Sequence, residues 1–345
     1  MPIKFFDMFA GIGGFRSGLE NIGDFQCIGH CEIDKFANRA YEAIYQPKGE
    51  LYFKDARKIK PEELPDFDLI CAGFPCQSFS VAGKRLGFKD DTRGTLFFEV
   101  ARIAQAKRTP LLLLENVPGL LSHDGGRTFK TIISTLVELG YDIEWCVLNS
   151  ANFGVPQQRR RLYIIANLGK KHTGEILPLT GSNGKNCKEI ISGPQGARVY
   201  EVDGAACTQT ANAGGWGGKT GLYFIDMNVD PVVTDFARCV TARQNAGISH
   251  HKGEHLGVLV TTGSFKGKHI VTVMDKHGKL HTGWIRRLMP IECWRLQGFT
   301  DEQFFKAEAI GLKDGRLYKM AGNAVSVPVI AAIGQKMKEI YKEDF

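Results

Sequence analysis

Short apolar runs rich in β-branched and aromatic residues alternate with amphipathic stretches through the first half of the chain. The apolar runs have the length of strands, and the stretches between them have the periodicity of helices. Strands that recur with helices between them indicate a parallel sheet covered by helices on both faces. The fold class predicted is therefore α/β, with a doubly wound, mostly parallel sheet. The strand–helix pairs are IKFFDMF with FRSGLENIG, QCIGHCEI with DKFANRAYEAIY, FDLICAGF with TLFFEVARIAQAK, and PLLLLENV with RTFKTIISTLVELG, and the sheet would be extended by YDIEWCVLNS and RRLYIIANLG.

The composition changes after about residue 170, where glycine, threonine and polar residues dominate and strand-like runs are short. Such a stretch predicts a second, smaller and loop-rich domain. Helical periodicity returns from WIRRLMPIECWRLQGF onward, and we expect the last segment to pack back on the first domain. The predicted domains are 1–170 plus 285–345 for the larger one and 171–284 for the smaller one.

Overall composition narrows the class of protein without identifying it. A hydrophobic fraction of 43% and a charged fraction of 23% over 345 residues are ordinary for a globular protein. No apolar run approaches the roughly 20 residues that span a bilayer, and no signal-peptide pattern is visible, so a cytoplasmic location is expected. Nine cysteines without a CxxC pair favour free thiols over disulfides or a metal site. The net charge of +7 is compatible with a polyanionic partner but does not require one.

Cys76 stands in GFPCQSFS, just past the C-terminal end of the predicted strand FDLICAGF. Open α/β sheets keep their ligands and reactive groups at that end of their strands. Pro75 fixes its own φ and stiffens the turn, so the thiol is held in one direction. A reactive thiol is one interpretation, and a buried structural cysteine, the usual state of a free cysteine, is the other.

A glycine-rich turn follows the first predicted strand, in FDMFAGIGGF. Gly11, Gly13 and Gly14 allow backbone N–H groups to approach a ligand, but they do not spell GxGxxG, and a tight strand-to-helix turn explains them equally. At the end of the next strand, in CEID, Glu32 can accept hydrogen bonds from both hydroxyls of a ribose, and at the following position, in FKDARKI, Asp55 can accept one from an adenine amino group. A helix cap, which suits Asp34 better than Glu32, and a solvated loop carboxylate are the simpler interpretations. Together the three features indicate an adenine nucleoside such as S-adenosylmethionine.

Six motifs follow one another along the chain, namely DMFAGIGGF, GFPCQSFS, ENVPGL, QQRRRLYIIA, RRLMPIECWRLQGF and AGNAVSVPV. In these motifs and their order, the chain resembles the DNA (cytosine-5)-methyltransferases of the bacterial restriction-modification type over nearly its whole length. The resemblance implies a Rossmann-like S-adenosylmethionine methyltransferase fold with a target recognition domain at 171–284. One departure is Ile33, which stands where relatives often carry a bulkier aromatic side chain against the adenine.

The resemblance implies a reaction and the residues that perform it. C5 of cytosine is a poor nucleophile, so Cys76 would first add to C6 as a thiolate and push electron density toward C5. Glu115 would relieve the resulting charge by donating a hydrogen bond or proton to N3, and desolvation would raise its pKa to keep it protonated. Arg159 and Arg161 would support the cytosine O2, a nearby phosphate and the Cys76 loop. Successive side chains of a strand point to opposite faces, which predicts Arg159 and Arg161 on one face and Arg160 on the other. The alternative is a solvated basic cluster.

The resemblance also implies the residues that hold the cofactor. Glu32 would bind the ribose, Asp55 would bind the adenine amino group, and Asn323 would close the pocket from the C-terminal segment. Asn116 would orient the loop after Glu115 through its amide. Each apolar member of the set could equally belong to the core. The expected cofactor-binding residues are Phe9, Gly11, Gly13, Gly14, Glu32, Ile33, Asp55, Pro75, Leu96 and Asn323.

A cytosine inside a duplex must be rotated out of the stack before C5 can react. Gln195 resembles the glutamine that fills the vacated space and contacts the orphan guanine, and Arg198 resembles an arginine that reads a base edge in the major groove. A turn glutamine and a strand-edge arginine are the alternatives. The other expected DNA contacts are Thr208 and Thr210 in the target recognition domain, and Lys84, Arg85 and Lys89 in a loop that would close over the phosphates.

Three other functions compete with this interpretation. A tRNA cytosine-5 methyltransferase shares the fold, but the signature CFTKGYG of that branch is absent from the sequence. Intact Cys76, Glu115 and Arg161 argue against a catalytically silent homologue, and the missing GxGxxG argues against a nicotinamide oxidoreductase. We therefore predict a monomeric bacterial enzyme that methylates C5 of cytosine in a short duplex DNA sequence and protects host DNA beside a separate restriction endonuclease.

Overall fold

The computed structural model of the chain describes residues 2–75, 96–169, 176–177, 189–191, 199–200, 223–226, 232–234, 237–240, 256–261, 264–275 and 278–341. The chain divides into two compact units. Unit 1 comprises Met1–Leu148, Arg160–Thr180 and Val325–Phe345, and unit 2 comprises Asn149–Arg159 and Gly181–Ala324.

Strands and helices alternate through unit 1, and strands dominate the first part of unit 2. The strands are β1 (Ile3–Met8), β2 (Phe25–Cys31), β3 (Leu51–Phe53), β4 (Leu69–Gly73), β5 (Leu111–Asn116), β6 (Tyr141–Asn149), β7 (Gln157–Gln158), β8 (Arg160–Leu168), β9 (Glu189–Ile191), β10 (Val199–Tyr200), β11 (Tyr223–Asp226), β12 (Val232–Thr234), β13 (Ala237–Arg238), β14 (Leu256–Val260), β15 (Ile270–Met274) and β16 (Leu280–Arg287). The helices are α1 (Gly14–Glu20), α2 (Lys35–Tyr45), α3 (Leu96–Lys107), α4 (Arg127–Glu138), α5 (Pro290–Leu296), α6 (Asp301–Ala309), α7 (Asp314–Asn323) and α8 (Val327–Tyr341).

Within the described residues, unit 1 carries a seven-stranded sheet in the order β3-β2-β1-β4-β5-β8-β6. Strands β1 to β5 run parallel to their neighbours, and β8 runs antiparallel to β5. The strand order reverses between β1 and β4, which is the point where open α/β sheets bind their ligands. The predicted doubly wound, mostly parallel sheet is confirmed.

The central strands of unit 1 are apolar along nearly their whole length because the sheet is covered on both faces. One face packs against α3, whose Phe97, Val100 and Ile103 are fully buried. Helices α1 and α8 approach each other closely, since a Cβ on Gly18 would lie 2.6 Å from Cβ of Ile330. Helix α8 therefore packs back on the first part of the chain.

Unit 2 contains a five-stranded antiparallel sheet, in the order β12-β11-β14-β16-β15, among its described residues. The predicted domain boundary at 284/285 falls inside β16, and residues 285–324 group with the smaller unit. Hydrogen bonds within this segment hold α5 and α7 together, since Tyr318 Oη donates to the Leu288 carbonyl (2.6 Å) and Trp294 Nε1 donates to the Leu317 carbonyl (3.0 Å). Of the predicted 285–345 segment, the contacts thus assign only 325–345 to the larger unit.

One stretch, Asp314–Tyr341, is long and apolar enough to pass a length-and-composition test for a membrane span. Its most apolar window is 67% buried inside the structure, as in the core helices of globular proteins. Helices α7 and α8 divide this stretch between them. Among the described residues, no group of three or more His, Cys, Asp or Glu side chains could hold a metal ion.

Candidate active site

The carboxyl ends of β1 to β5 lie at one edge of the unit 1 sheet because these strands are parallel. Strand β8 runs the opposite way, so its beginning reaches the same edge: Leu162 pairs with Asn116. Arg161 therefore stands beside the end of β5. The predicted site residues at or just after these strand ends are Phe9, Glu32, Asp55, Pro75, Glu115 and Arg161.

The turn between β1 and α1 has a strained backbone. Phe9 (φ 57°), Gly11 (φ 58°) and Gly13 (φ 76°) adopt left-handed conformations, which cost a non-glycine residue such as Phe9 free energy. Glycine is required at position 13 for a second reason, since a Cβ there would lie 2.4 Å from a ring carbon of Tyr45. The turn thus has a specific geometry that its surroundings impose, and we call residues 9–14 the glycine turn.

Glu32 is bound to the glycine turn. Its Oε2 accepts a hydrogen bond from the Gly11 N–H (2.8 Å), and its Oε1 accepts one from the Asp34 N–H (2.7 Å). Burial raises the pKa of Glu32 above its ordinary value, although these backbone donors act in the opposite direction. The Ile33 N–H also donates to this carboxylate, so one of its four lone pairs is left with which it can accept from a ribose hydroxyl. Asp34 is the N-cap of α2 and accepts from the Phe36 N–H (2.9 Å), as its alternative interpretation predicted.

Asp55 is held by a neighbouring arginine that the sequence analysis did not single out. Arg57 donates from Nε to Oδ1 (2.9 Å) and from Nη2 to Oδ2 (2.8 Å), and its backbone N–H also donates to Oδ1 (3.1 Å). The hydrogen bonds from Arg57 lower the pKa of Asp55. With two donors on Oδ1 and one on Oδ2, Oδ2 has the free lone pair that an adenine amino group could use. The Asp55 side chain is 16% exposed, so it is not a freely solvated carboxylate.

Glu115 and Arg161 form an ion pair, with Arg161 Nε 3.1 Å from Glu115 Oε1. The other oxygen, Oε2, lies 3.5 Å from the position that a Cβ on Gly73 would take. A guanidinium at this distance favours the ionised carboxylate, which opposes the predicted effect of desolvation. Protonation of Glu115 therefore stays a prediction. Asn116 donates from Nδ2 to the Phe74 carbonyl (2.9 Å) and accepts from the Val117 N–H (2.9 Å), so its amide joins two loops, in the manner predicted.

Arg159 has a different environment, inside unit 2. Its side chain is buried, and Nη1 donates to the carbonyl of Val240 (3.1 Å) and to Sγ of Cys239 (3.2 Å). Nη2 donates to the carbonyls of Gly322 (3.1 Å) and Ala324 (2.7 Å), on either side of Asn323. Arg159 thus binds backbone in unit 2, whereas Arg161 binds Glu115 in unit 1. Its predicted contact with cytosine or phosphate is not tested by this geometry and stays a prediction.

The remaining predicted residues fall into two groups. Leu96, the first residue of α3, is half-buried, while Ile33 (59% exposed), Pro75 and Asn323 are exposed. The residues that lie outside the described part of the chain are Cys76, Lys84, Arg85, Lys89, Gln195, Arg198, Thr208 and Thr210.

Three buried or half-buried polar residues behind the glycine turn were missed from sequence: Arg16, Tyr45 and Glu50. Arg16 forms ion pairs with Glu20 (3.0 Å) and Glu50 (2.7 Å). The one available signal was a charged residue within the short helix GFRSGLE, four positions before a glutamate. Glu50 is 34 residues from Arg16, and no local pattern predicts such a pairing.

A mostly parallel sheet carries a glycine turn, two acceptor carboxylates and a Glu–Arg pair at its carboxyl edge, which is the edge where α/β enzymes bind their ligands. A family model described as C-5 cytosine-specific DNA methylase matches residues 3–339, and the chain belongs to that family. The predicted family and enzyme class, a DNA (cytosine-5-)-methyltransferase, are thereby confirmed.

Curated relatives match over almost the whole chain. The chain is 36% identical to the type II methyltransferase M1.ScrFI of Lactococcus lactis subsp. cremoris, over 99% of this chain and 79% of that protein. It is 35% identical to the type II methyltransferase M.Bsp6I of Bacillus sp. (strain RFL6), over 97% of each chain.

Solved structures of low sequence identity share the fold. The S. pombe Dnmt2 methyltransferase matches with a TM-score of 0.63 and 16% identity, over 99% of this chain and 98% of that chain. The Entamoeba histolytica methyltransferase EhMeth matches with a TM-score of 0.62 and 19% identity, over 100% of this chain and 99% of that chain.

Proposed function

We propose that this enzyme uses S-adenosylmethionine to methylate C5 of a cytosine that is rotated out of a short duplex DNA sequence. The observation that carries the proposal is the Glu115–Arg161 ion pair at the carboxyl edge of the sheet, beside the end of β4. The sequence places Cys76 three residues after β4 ends at Gly73. A nucleophile that follows the end of β4 in sequence, with an acid at the end of β5 and a cation at the beginning of β8, is suited to addition across the C5–C6 bond.

The residues at the other strand ends fit S-adenosylmethionine. Glu32 keeps a lone pair for a ribose hydroxyl, Asp55 keeps one for the adenine amino group, and the exposed Ile33 offers an apolar surface for the base. No atom of the described residues lies within 4 Å of the position that a Cβ on Gly11 would take, so this part of the structure leaves open space beside the turn. When bound, the cofactor supplies an electrophilic methyl group on a positively charged sulfur.

The chain's own residues would prepare the cytosine. The Cys76 thiolate would form a bond to C6, and the electron pair of the C5–C6 double bond would move toward C5 and N3. Glu115 would donate its proton or a hydrogen bond at N3, and Arg161 would support O2 while holding Glu115 in place. After methylation, a base such as water would take the C5 proton, the C5–H electron pair would re-form the C5–C6 double bond, and the Cys76 sulfur would leave as a thiolate. N3 would return any proton to Glu115, which restores the aromatic ring and the starting enzyme.

The DNA partner and the biological setting rest on resemblance and on the relatives. Gln195 would fill the gap left by the cytosine and Arg198 would read a guanine, while Lys84 and Arg85 would bind phosphate. The relatives named above are type II methyltransferases, which supports a role in a bacterial restriction-modification system. We propose a cytoplasmic monomer that acts on double-stranded DNA beside a separate cognate endonuclease.

Incubation with S-adenosylmethionine and a random-sequence duplex library, followed by bisulfite sequencing, tests the proposal. We expect protection of one cytosine within one short motif, and no protection with the Cys76→Ala variant. A parallel reaction with unmodified tRNA tests whether the enzyme methylates tRNA instead of DNA. Protection of tRNA alone, or of neither substrate by folded protein, would overturn the proposal.

A further inference from the structure

We infer that Tyr45 is a positioning residue for the cofactor site, acting through the glycine turn that it holds from behind. Tyr45 is the last residue of α2, 32 positions after Gly13, and neither the sequence motifs nor the relatives assign it a role. The inference rests on the proposed use of S-adenosylmethionine, since it concerns the affinity of that site.

The Tyr45 hydroxyl contacts two carbonyls of the turn and one side chain of α1. It donates its proton to the Gly13 carbonyl (2.7 Å) and lies 3.2 Å from the Ile12 carbonyl. The Ser17 hydroxyl is 2.6 Å away, and it donates to Tyr45 because the single phenolic proton is already used. Burial raises the pKa of the Tyr45 hydroxyl, so it stays a donor at every physiological pH.

The Tyr45 ring is itself held in place. The Arg16 guanidinium carbon lies 4.6 Å from the ring centroid, in the range of a cation–π contact. Arg16 cannot move freely, because both its Nη atoms donate to the Glu50 carboxylate (2.7 and 2.8 Å) and its Nε donates to Glu20 (3.0 Å). The Tyr45 ring is thus restrained by Arg16 where it packs against Gly13 of the turn.

These contacts determine the backbone of the turn. The left-handed residues at positions 9, 11 and 13 persist only where the surroundings impose them. Tyr45 does so at Gly13, which precedes the first residue of α1 and has no side chain with which to cap that helix. The same turn directs the Gly11 N–H to Glu32, so a relaxed turn would also misplace the predicted ribose acceptor. Loss of one phenolic oxygen should therefore weaken cofactor binding without altering the chemical step.

The Tyr45→Phe variant tests this, because it keeps the ring and removes only the hydroxyl. Calorimetric titration with S-adenosylhomocysteine, without DNA, should show a Kd raised about tenfold, the effect of one buried hydrogen bond. With saturating cofactor, kcat and the KM for DNA should equal those of the wild type. Tyr41→Phe is the matched control: its hydroxyl contacts Arg16 (3.3 Å) and Cys27 (3.5 Å) rather than the turn, and its Kd should stay within about twofold.

The outcomes separate this inference from the proposed function. A wild-type protein that binds no S-adenosylhomocysteine would refute the proposed function itself. Equal Kd values for wild type, Tyr45→Phe and Tyr41→Phe, or a lower kcat for Tyr45→Phe at unchanged affinity, would refute only the role of Tyr45. If Tyr45→Phe fails to fold, Ser17→Ala, which removes the donor to Tyr45, decides the question by the same titration, with an expected Kd increase of about threefold.

Discussion

Arg161 Nε lies 3.1 Å from Glu115 Oε1, and the two side chains are only 16% and 12% exposed. Charges removed from water in this way depend on each other, because breaking a buried pair leaves one charge uncompensated. The pair also connects β5 with the antiparallel strand β8. Arg161 therefore holds the Glu115 carboxylate and places a cation at the edge of the sheet, and in the proposed reaction it would orient the acid.

The Glu115→Gln variant should lower kcat by a factor of about 10²–10⁴, because an amide keeps the shape of the side chain but cannot transfer a proton. Affinity for S-adenosylhomocysteine should be unchanged. Single-turnover transfer of a labelled methyl group to duplex DNA measures the first, and calorimetry measures the second.

Glu99→Gln is the control, because it removes a similar ion pair away from the proposed site. Glu99 pairs with Arg102 (2.8 Å) in α3, and its side chain is 8% exposed, but it is not among the proposed site residues. We expect its kcat to equal that of the wild type. A similar fall in kcat for both variants would mean that Glu115 supports the fold and not the chemistry.

The Arg159→Lys variant should lower the free energy of unfolding by about 2–4 kcal/mol, because one ammonium group cannot replace a guanidinium that binds carbonyls on separate segments. The exposed neighbour Arg160 provides the comparison, and Arg160→Lys should change stability by less than about 0.5 kcal/mol. Urea unfolding measures both. Unchanged stability together with a kcat lowered 100-fold or more would instead favour the contact with cytosine that the resemblance implies.

Four of the five parallel strands could be predicted from sequence because each is an apolar run followed by an amphipathic helix. The exception is β3, which has three residues and no α-helix between it and β4. The strand–helix pattern determines parallel pairing, and parallel pairing brings Glu32, Asp55 and Glu115 to one edge of the sheet. The direction of β8 could not be predicted in the same way. It follows β6 without an intervening α-helix and enters between β5 and β6, antiparallel to β5.

Polar contacts between segments that are distant in the chain could not be predicted from the sequence. Tyr45 is the last residue of an amphipathic helix, and only the folded chain shows that its hydroxyl meets the Gly13 carbonyl. Arg159 and Arg161 are two residues apart in a basic cluster, yet one binds backbone carbonyls and the other a carboxylate. Both are arginines of the same short basic cluster, so the sequence cannot distinguish them. Only their binding partners in the folded chain do.

The Arg57→Gln variant should weaken binding of S-adenosylhomocysteine by up to about fivefold, because Arg57 orients the Asp55 carboxylate but is itself exposed. The effect should depend on the amino group of adenine. Calorimetry with S-inosylhomocysteine, which has a carbonyl at that position, should give weak binding that the substitution does not reduce further. Equal losses for both ligands would show that Arg57 acts on some other part of the site.

Asp7, in the middle of the unit 1 sheet, makes stability depend on pH. Both carboxyl oxygens are buried and have no hydrogen-bond partner among the described residues. Burial raises the pKa of Asp7 well above its ordinary value, with Arg16 acting against the shift and Glu32 and Glu20 adding to it. The folded state thus holds a proton that the unfolded chain releases near pH 4. The stability gained from the neutral form is complete below that pH and is lost as the pH rises toward the folded-state pKa.

The Asp7→Asn variant has nearly the same shape and no charge at any pH, so it should escape this loss. Relative to the wild type, its free energy of unfolding should rise by up to about 1.4 kcal/mol per pH unit above pH 4, until the pKa of folded Asp7 is reached. Thermal unfolding between pH 4.5 and 8.5 measures the difference. The control is Asp66→Asn: Lys107 lowers the pKa of this exposed carboxyl, so its contribution changes only at lower pH. A constant difference between Asp7→Asn and wild type across the range would mean that Asp7 is ionised throughout, with Arg16 as the nearest compensating charge.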